Sequence, residues 1–262
     1  MTYKSIETSL EDGILTITMN RPKCKNAMNQ EMWLELTQVM EEAAINDDVV
    51  FVVLTGAGTF YSSGFDIKDP APESMNMEEF MEYRIKIGRK YIDVLIDFPK
   101  LLIAIVNGPA IGIATTTLAL FDFVFCTTSA SFYTPFSVLG LSVEGCSSYL
   151  FPRIMGNATA NNVLQFGQKL DSDQAKNCNL VVDVFEPEQI QSVLWPKLKS
   201  MKETLSKGSI LANKKLIRGW DREILHKVNE AEWDELRNRF ASEDFMTSVL
   251  KFMNRSKSAN KL

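Results

Sequence analysis

The sequence predicts an α/β fold that ends in a helical region, on three observations. Apolar runs at 49–54, 101–106 and 122–126 are nearly continuous, as in strands covered on both faces. Loops and helical periodicities separate them in the order strand, loop, helix, strand, which is the signature of parallel crossover units. Beyond about residue 200 the pattern is helical only.

From the N-terminus, residues 3–9 and 13–19 alternate apolar and polar around Asp12-Gly13 and read as a hairpin, closed by Asn20-Arg21-Pro22. Asn29 is placed to cap a helix whose apolar residues Met32, Leu36, Val39, Met40 and Ala43 recur at helical spacing. The 49–54 strand closes at Thr55-Gly56-Ala57-Gly58. After the loop 56–75, Asn76-Met77-Glu78-Glu79 has the form of a capping box opening a long helix to about Phe98. Pro99 resets the chain before the 101–106 strand, and a helix is expected from near Ile111 to just before Phe121, ahead of the 122–126 strand. Leu205, Leu211, Leu216, Ile224, Trp233, Leu236, Phe240, Phe245, Val249 and Phe252 then punctuate charged helices, so they need either their own core or a neighbouring subunit. The expected division is a core at 1–200, a helical cap or oligomerisation region at 201–255 and a tail at 256–262.

Composition narrows the function. The 262 residues suffice for one large core, and a hydrophobic fraction of 45% is ordinary for a soluble globular chain. A net charge of −5 leaves no footprint for nucleic acid or an anionic membrane. The four cysteines, Cys24, Cys126, Cys146 and Cys178, form no Cys-x-x-Cys pair, which argues for a reducing compartment and against structural zinc or a disulfide framework. His226 is the single histidine and reads as a plain helix or surface residue, so a histidine triad or multi-histidine metal site is excluded. No signal or transit segment is expected at the N-terminus, and Asn107-Gly108-Pro109, three threonines and Asp122 break the apolar stretch 101–126 before it could span a membrane. The terminal Asn260-Lys261-Leu262 is one substitution from the Ser-Lys-Leu peroxisomal address.

Three loops hold candidate chemistry. In Asn107-Gly108-Pro109-Ala110-Ile111-Gly112-Ile113 the glycines allow a sharp strand-to-helix turn, and the N–H groups of Gly112 and Ile113 fall among the free donors of a helix start; the alternative is a tight turn with no ligand. The loop 59–68, Thr-Phe-Tyr-Ser-Ser-Gly-Phe-Asp-Ile-Lys, also follows a buried strand, and Gly64 could expose the N–H of Phe65. Two such donors aimed at one point would make an oxyanion hole; an irregular surface loop is the alternative. Glu144, in Leu139-Gly140-Leu141-Ser142-Val143-Glu144-Gly145, has no charged neighbour from Ser129 to Pro152. It is either a helix-cap acceptor or an acid/base group, and burial beside Leu139, Leu141 and Val143 would raise its pKa.

Taken together, Asn20-Arg21-Pro22 with Asn26-Ala27, Ser63-Gly64-Phe65-Asp66-Ile67-Lys68, Ala104-x-Val106-Asn107-Gly108-Pro109-Ala110-x-Gly112 and Leu118-x-Leu120-x-Asp122 resemble the crotonase, or enoyl-CoA hydratase/isomerase, family over about residues 5–255. The resemblance implies a crotonase-like spiral of ββα units with C-terminal helices, assembled as homotrimers or hexamers. It implies an acyl-CoA thioester substrate, no separate cofactor and no metal. Phe65 and Ile113 occupy the two oxyanion-hole positions, although many hydratases carry glycine where Ile113 stands. Ser63, Gly64, Asp66, Ile67, Lys68, Gly112, Leu141, Lys23 and Lys25 fall at substrate-binding positions.

Hydratases of this family place two glutamates around the substrate; the matching positions here are Thr116 and Phe136. The family's Δ3,Δ2-enoyl-CoA isomerases, especially the peroxisomal type, instead carry one glutamate in a Leu-Gly-x-x-x-Glu-Gly context, which Glu144 matches. The resemblance therefore implies double-bond migration from position 3 to position 2, with Glu144 as base and acid. The rival readings are hydration, dienoyl isomerisation, or acyl-CoA binding without catalysis. Peroxisomal localisation, through an import receptor reading the tail, is the expectation, with mitochondrial or cytoplasmic placement as the alternatives.

Overall fold

A computed structural model describes the backbone of residues 3–259 and the side chains of residues 3–251. Strands β1 (Ile6–Glu11) and β2 (Ile14–Met19) form the hairpin, turned by Asp12 and Gly13 at φ 51° and 79°. Two consecutive left-handed residues match the twist of the flanking strands. In helix α1 (Gln30–Ile45) the Asn29 side chain accepts the Met32 N–H. Strand β3 (Phe51–Gly56) leads to α2 (Met77–Asp97), where Asn76 and Glu79 exchange two 2.9 Å bonds as a capping box. Next come β4 (Leu101–Val106), β5 (Ala110–Ile111), α3 (Ile113–Thr116) and β6 (Phe123–Thr127). After them run β7 (Ser131–Tyr133), α4 (Phe136–Leu139), α5 (Ser147–Leu164), β8 (Leu170–Asp171), α6 (Ser172–Asn177) and β9 (Asp183–Phe185). Helices α7 (Trp195–Thr204), α8 (Lys207–Gly219), α9 (Arg222–Phe240) and α10 (Glu243–Ala259) follow.

The large sheet has the order β1-β2-β3-β4-β6-β9 and is parallel beyond the hairpin. The small sheet is β5-β7-β8, extended by parallel bridges between Ser62 and Ala110 and between Met28 and Phe65. From β3 to β7 each unit adds one strand to the large sheet and one short segment to the small one, then a helix; the first unit brings the β1–β2 hairpin, and at the end β8 and α6 precede β9. That repetition is the spiral of ββα units.

Both faces of the large sheet are covered, which explains the unbroken apolar runs. Val52, Leu54, Leu102, Ala104, Val106 and Val124 face the main core with α1 and α2, whereas Phe51, Val53, Ile103, Ile105 and Phe125 pack with Leu194 and Leu198 on the other side. The helix expected from near Ile111 to just before Phe121 runs from Ile113 to Leu120, as α3 followed by a 3-10 turn at Thr117–Leu120, while Ala110–Ile111 ahead of it is a strand. The small sheet takes Ile111 N–H to Ser62 O and Gly112 N–H to Tyr133 O, and the hydroxyls of Thr115 and Thr117 bond the carbonyls of Ala110 and Ile113. Hydroxyls that bond nearby carbonyls compete with a regular helix.

The C-terminal helices return to the sheet-bearing part of the chain. On α9, Trp233 packs against α2 where a Cβ on Gly88 would come within 2.5 Å of its ring, so only glycine allows this approach. Lys214 on α8 donates to Asp122, which also accepts the Leu102 N–H and so ties β4 to α8. His226 sits between Asp93 and Asp97 of α2 at 2.8 and 2.9 Å, so this helix residue bridges two elements. Of the expected apolar anchors, Trp233 and Leu236 are buried while Leu205, Leu216 and Ile224 are exposed. The expected tail begins inside α10, and Asn260-Lys261-Leu262 and the Phe252 side chain lie outside the described residues. Among the described residues no helix is long and apolar enough to cross a membrane.

Candidate active site

Two loops meet because Gly64 has no side chain. Gly64 has φ +77°, and a Cβ there would lie 2.3 Å from the Ile111 carbonyl oxygen and 3.7 Å from Ile113 N. The 57–65 loop is held by Asn26, fully buried, whose amide donates to the carbonyls of Ala57 and Phe60 and accepts the Arg21 N–H. From the other side Asn107 accepts the Gly56 N–H and donates to Gly58 O. The Met28 bridge uses Gly64 O and Asp66 N–H, which turns the Phe65 N–H away from the strand. The Ile113 N–H, first in α3, likewise has no acceptor among the described residues.

Phe65, Ile113 and Glu144 line one cavity of about 350 Å³, mostly apolar, closed by Phe136, Leu139 and Leu141 on one side and by Trp233, Phe240 and Phe245 from the C-terminal helices. Glu144 is 4% exposed. Its Oε1 accepts the Thr116 hydroxyl at 2.9 Å, and its Oε2 has no partner among the described residues. Burial pushes the Glu144 carboxyl well above the ordinary carboxylate range; the neighbouring Glu232 carboxylate adds to this, and the Thr116 hydrogen bond opposes it.

Of the residues singled out from sequence, Ser63, Phe65, Ile67, Lys68, Gly112, Ile113, Leu141 and Glu144 line this cavity. Gly64 is the backbone contact behind it. Asp66 does not line it: its carboxylate pairs with Arg21 at 2.9 Å and accepts the Lys68 N–H, holding the loop from behind. Lys23 and Lys25 are exposed and outside the lining, although the Lys25 carbonyl accepts the N–H of Ser63 at the rim. Among the described residues no group of three or more histidine, cysteine or acidic side chains is placed to hold a metal.

Comparison over the whole chain shows the family. The model of the family described as enoyl-CoA hydratase/isomerase matches residues 9–261. The protein belongs to the enoyl-CoA hydratase/isomerase family. It is 42% identical over 252 residues to enoyl-CoA delta isomerase 2 of Rattus norvegicus, an alignment that covers 96% of this chain and 64% of that one. It is 39% identical over 256 residues to a Mus musculus protein named enoyl-CoA delta isomerase 3, peroxisomal, covering 98% of this chain and 80% of that one. A crystal structure of an enoyl-CoA hydratase/isomerase from Pseudoalteromonas atlantica T6c matches with TM-score 0.87 at 31% identity, over 96% of this chain and 98% of that one. The chain therefore spans just under two thirds of the rat relative's length, and its architecture is the crotonase-like α/β fold.

Several residues of this candidate site escape a reading of motifs. Asp69 also lines the cavity, so Glu144 is not its only carboxylate; Asp69, however, accepts the Gln30 N–H at 2.8 Å and faces Arg84 at 4.0 Å. Arg84 is 3% exposed, donates to Asp66 O, and lies 3.6 Å above the Phe65 ring. Burial pushes its guanidinium down to about 10, against the pull of Asp69 and Asp66, so it stays charged at neutral pH. A signal for it existed: Arg84 falls on the Phe80-Arg84-Tyr91 stripe of an amphipathic helix, where a cation is out of place. Glu232 had none and Trp233 showed only as an apolar anchor, because only folding brings α9 to this site.

Proposed function

We propose that this protein is a Δ3,Δ2-enoyl-CoA isomerase that moves a cis or trans 3-double bond of an acyl-CoA to the trans-2 position. The observation that carries the reading is the free Oε2 of buried Glu144, in the same apolar cavity as the unpartnered N–H groups of Phe65 and Ile113. With the thioester oxygen between those two donors, loss of the C2 proton spreads negative charge from carbon onto oxygen. One such donor contributes about 3 kcal/mol in comparable sites. Glu144 takes the C2 proton as carboxylate and returns one to C4 as carboxylic acid, since both carbons belong to the same allylic unit. A carboxyl raised by burial above the ordinary carboxylate range suits both steps. The names of the rat and mouse relatives support the same reading.

Hydration is disfavoured because Thr116 and Phe136 stand where hydratase glutamates would and Asp69 is already engaged. A dienoyl isomerase would want a further free acid in the pocket. Lys68 in the cavity lining, with the exposed Lys23 and Lys25 outside it, supplies the cations for the CoA phosphates in this reading. Exposed Leu216, Ile217 and Trp220, at 64%, 73% and 84%, support assembly into a trimer or hexamer. Peroxisomal import through Asn260-Lys261-Leu262 is part of the proposal and is tested by a fluorescent fusion with and without those residues.

The deciding assay incubates purified protein with a 3-enoyl-CoA and follows 2-enoyl-CoA. Glu144→Gln should reduce kcat by about 10²- to 10⁴-fold. Comparable turnover in that variant would remove Glu144 as base, formation of 3-hydroxyacyl-CoA from 2-enoyl-CoA would favour a hydratase, and tight binding without turnover would favour a non-catalytic acyl-CoA binder.

A further inference from the structure

The turn that carries Glu144 is held from a distant part of the chain. Glu232, on α9, is 6% exposed, and both of its carboxylate oxygens are used: Oε2 accepts the Cys146 N–H at 2.7 Å and Oε1 the Ser148 N–H at 2.9 Å. These donors flank the start of α5, where Cys146 adopts φ 61° and the Ser147 hydroxyl bonds back to the Glu144 carbonyl at 2.7 Å. On the opposite side Gly145, at φ +69°, backs so closely onto Thr116 that a Cβ would lie 2.6 Å from its hydroxyl oxygen. Glu144 is thus set between Thr116 and a clamp reaching across 86 residues of chain.

We propose that Glu232 is a positioning residue for Glu144: from the C-terminal helix it fixes the turn behind the base and holds a second buried carboxyl close by. This rests on the reading of Glu144 as the base. Glu232 is not a second acid for the substrate, since its oxygens are taken by backbone donors and it does not line the cavity. Burial raises its pKa, whereas the bonds from Ser148 and Cys146 at a helix N-terminus favour its ionised form. The charged and titratable groups around Glu144 are Glu232 from α9, the Cys146 thiol on its own turn, Asp93 of α2 acting on that thiol, and Lys68, Asp69 and Arg84 in the cavity lining. A charge on Glu232 therefore raises the pH at which Glu144 loses its proton, and the two titrate as a pair.

The test uses the full chain with Glu232→Gln, which keeps the shape, loses the charge and retains one acceptor. With 3-enoyl-CoA, kcat should fall by about 10- to 100-fold, as for a slightly displaced base. KM should stay within about twofold, and the acid limb of the kcat–pH profile should move to lower pH. Glu232→Asp keeps the charge but reaches only one donor, so its kcat falls while the acid limb stays near wild type. Wild-type kcat in a folded Gln variant overturns the proposal, and so does a lower kcat with an unmoved limb, which would mark a merely structural contact. If the Gln variant does not fold, wild-type kcat in the folded Asp variant overturns it instead. Glu144→Gln run in parallel separates the two ideas: activity retained there defeats the base itself, whereas an inactive Glu144→Gln beside an unaffected Glu232→Gln defeats only the clamp.

Discussion

Replacing Gly64 by alanine tests whether the meeting of two loops makes the oxyanion site. The new Cβ would stand 2.3 Å from the Ile111 carbonyl oxygen, where ordinary contact begins at 3.4 Å, and the obstacle is backbone on both sides. One loop must therefore retreat by about 1 Å, a displacement that near a reacting centre costs about 10²-fold in rate. The φ of +77° adds strain of roughly 1–2 kcal/mol for a residue with a Cβ. The assay is steady-state isomerisation of 3-enoyl-CoA beside a urea unfolding curve. The expected result is a folded variant with a modest stability loss and a fall concentrated in kcat, since the donors act mainly on the enolate. Gly208→Ala is the control: nothing lies within 4 Å, and in α8 it should gain about 0.5–1 kcal/mol with unchanged kinetics. A folded Gly64→Ala with wild-type kcat would refute the placement of the oxyanion donors.

Three further predictions concern proton affinity and burial. Thr116→Val removes the hydrogen bond that holds the Glu144 pKa down, so the acid limb of kcat should move to higher pH; an unmoved limb would show that this bond does not act on the base. Lys214→Met removes the buried ammonium from Asp122 and the Lys100 carbonyl, leaving Asp122 with Arg218 at 3.7 Å and the Leu102 N–H, and should cost about 2 kcal/mol in a denaturation curve. A loss under 1 kcal/mol, the usual worth of an exposed pair, would contradict that account. For His226, burial opposes the charged form, but the bonds to Asp97 and Asp93 outweigh it and raise its pKa above the ordinary 6.5. A raised folded-state value means that this stabilisation is complete below about 6.5 and is lost as pH climbs through the folded value. The Tm difference between wild type and His226→Gln should therefore shrink from pH 6 to pH 9, and a constant difference would show that the imidazolium contributes nothing.

What could be read without coordinates follows from local physics. Continuous apolar runs marked strands buried on both faces, Asn76 and Glu79 marked a capped helix start, and Asp12-Gly13 marked a two-residue hairpin turn. The helix expected near Ile111 starts only at Ile113, because helical periodicity carries no trace of the Ser62 and Tyr133 carbonyls that draw Ile111 and Gly112 into the small sheet. Arg84 was visible only as an anomaly in a helical stripe.

The sequence by itself determined the layered α/β class, the two glycine-bearing loops and the identity of Glu144 as an acid in apolar company, because these depend on residue type and spacing over a few turns. Tertiary structure decided the rest. It set Gly64 against Ile111, gave Glu144 Oε1 to Thr116 while leaving Oε2 free, engaged Asp69 with Gln30 and Arg84, and brought Glu232 behind the base. The physical reason is the same in each case: desolvation and hydrogen-bond partnership depend on which distant segments meet, and it is those two quantities that set a carboxyl's readiness to move a proton.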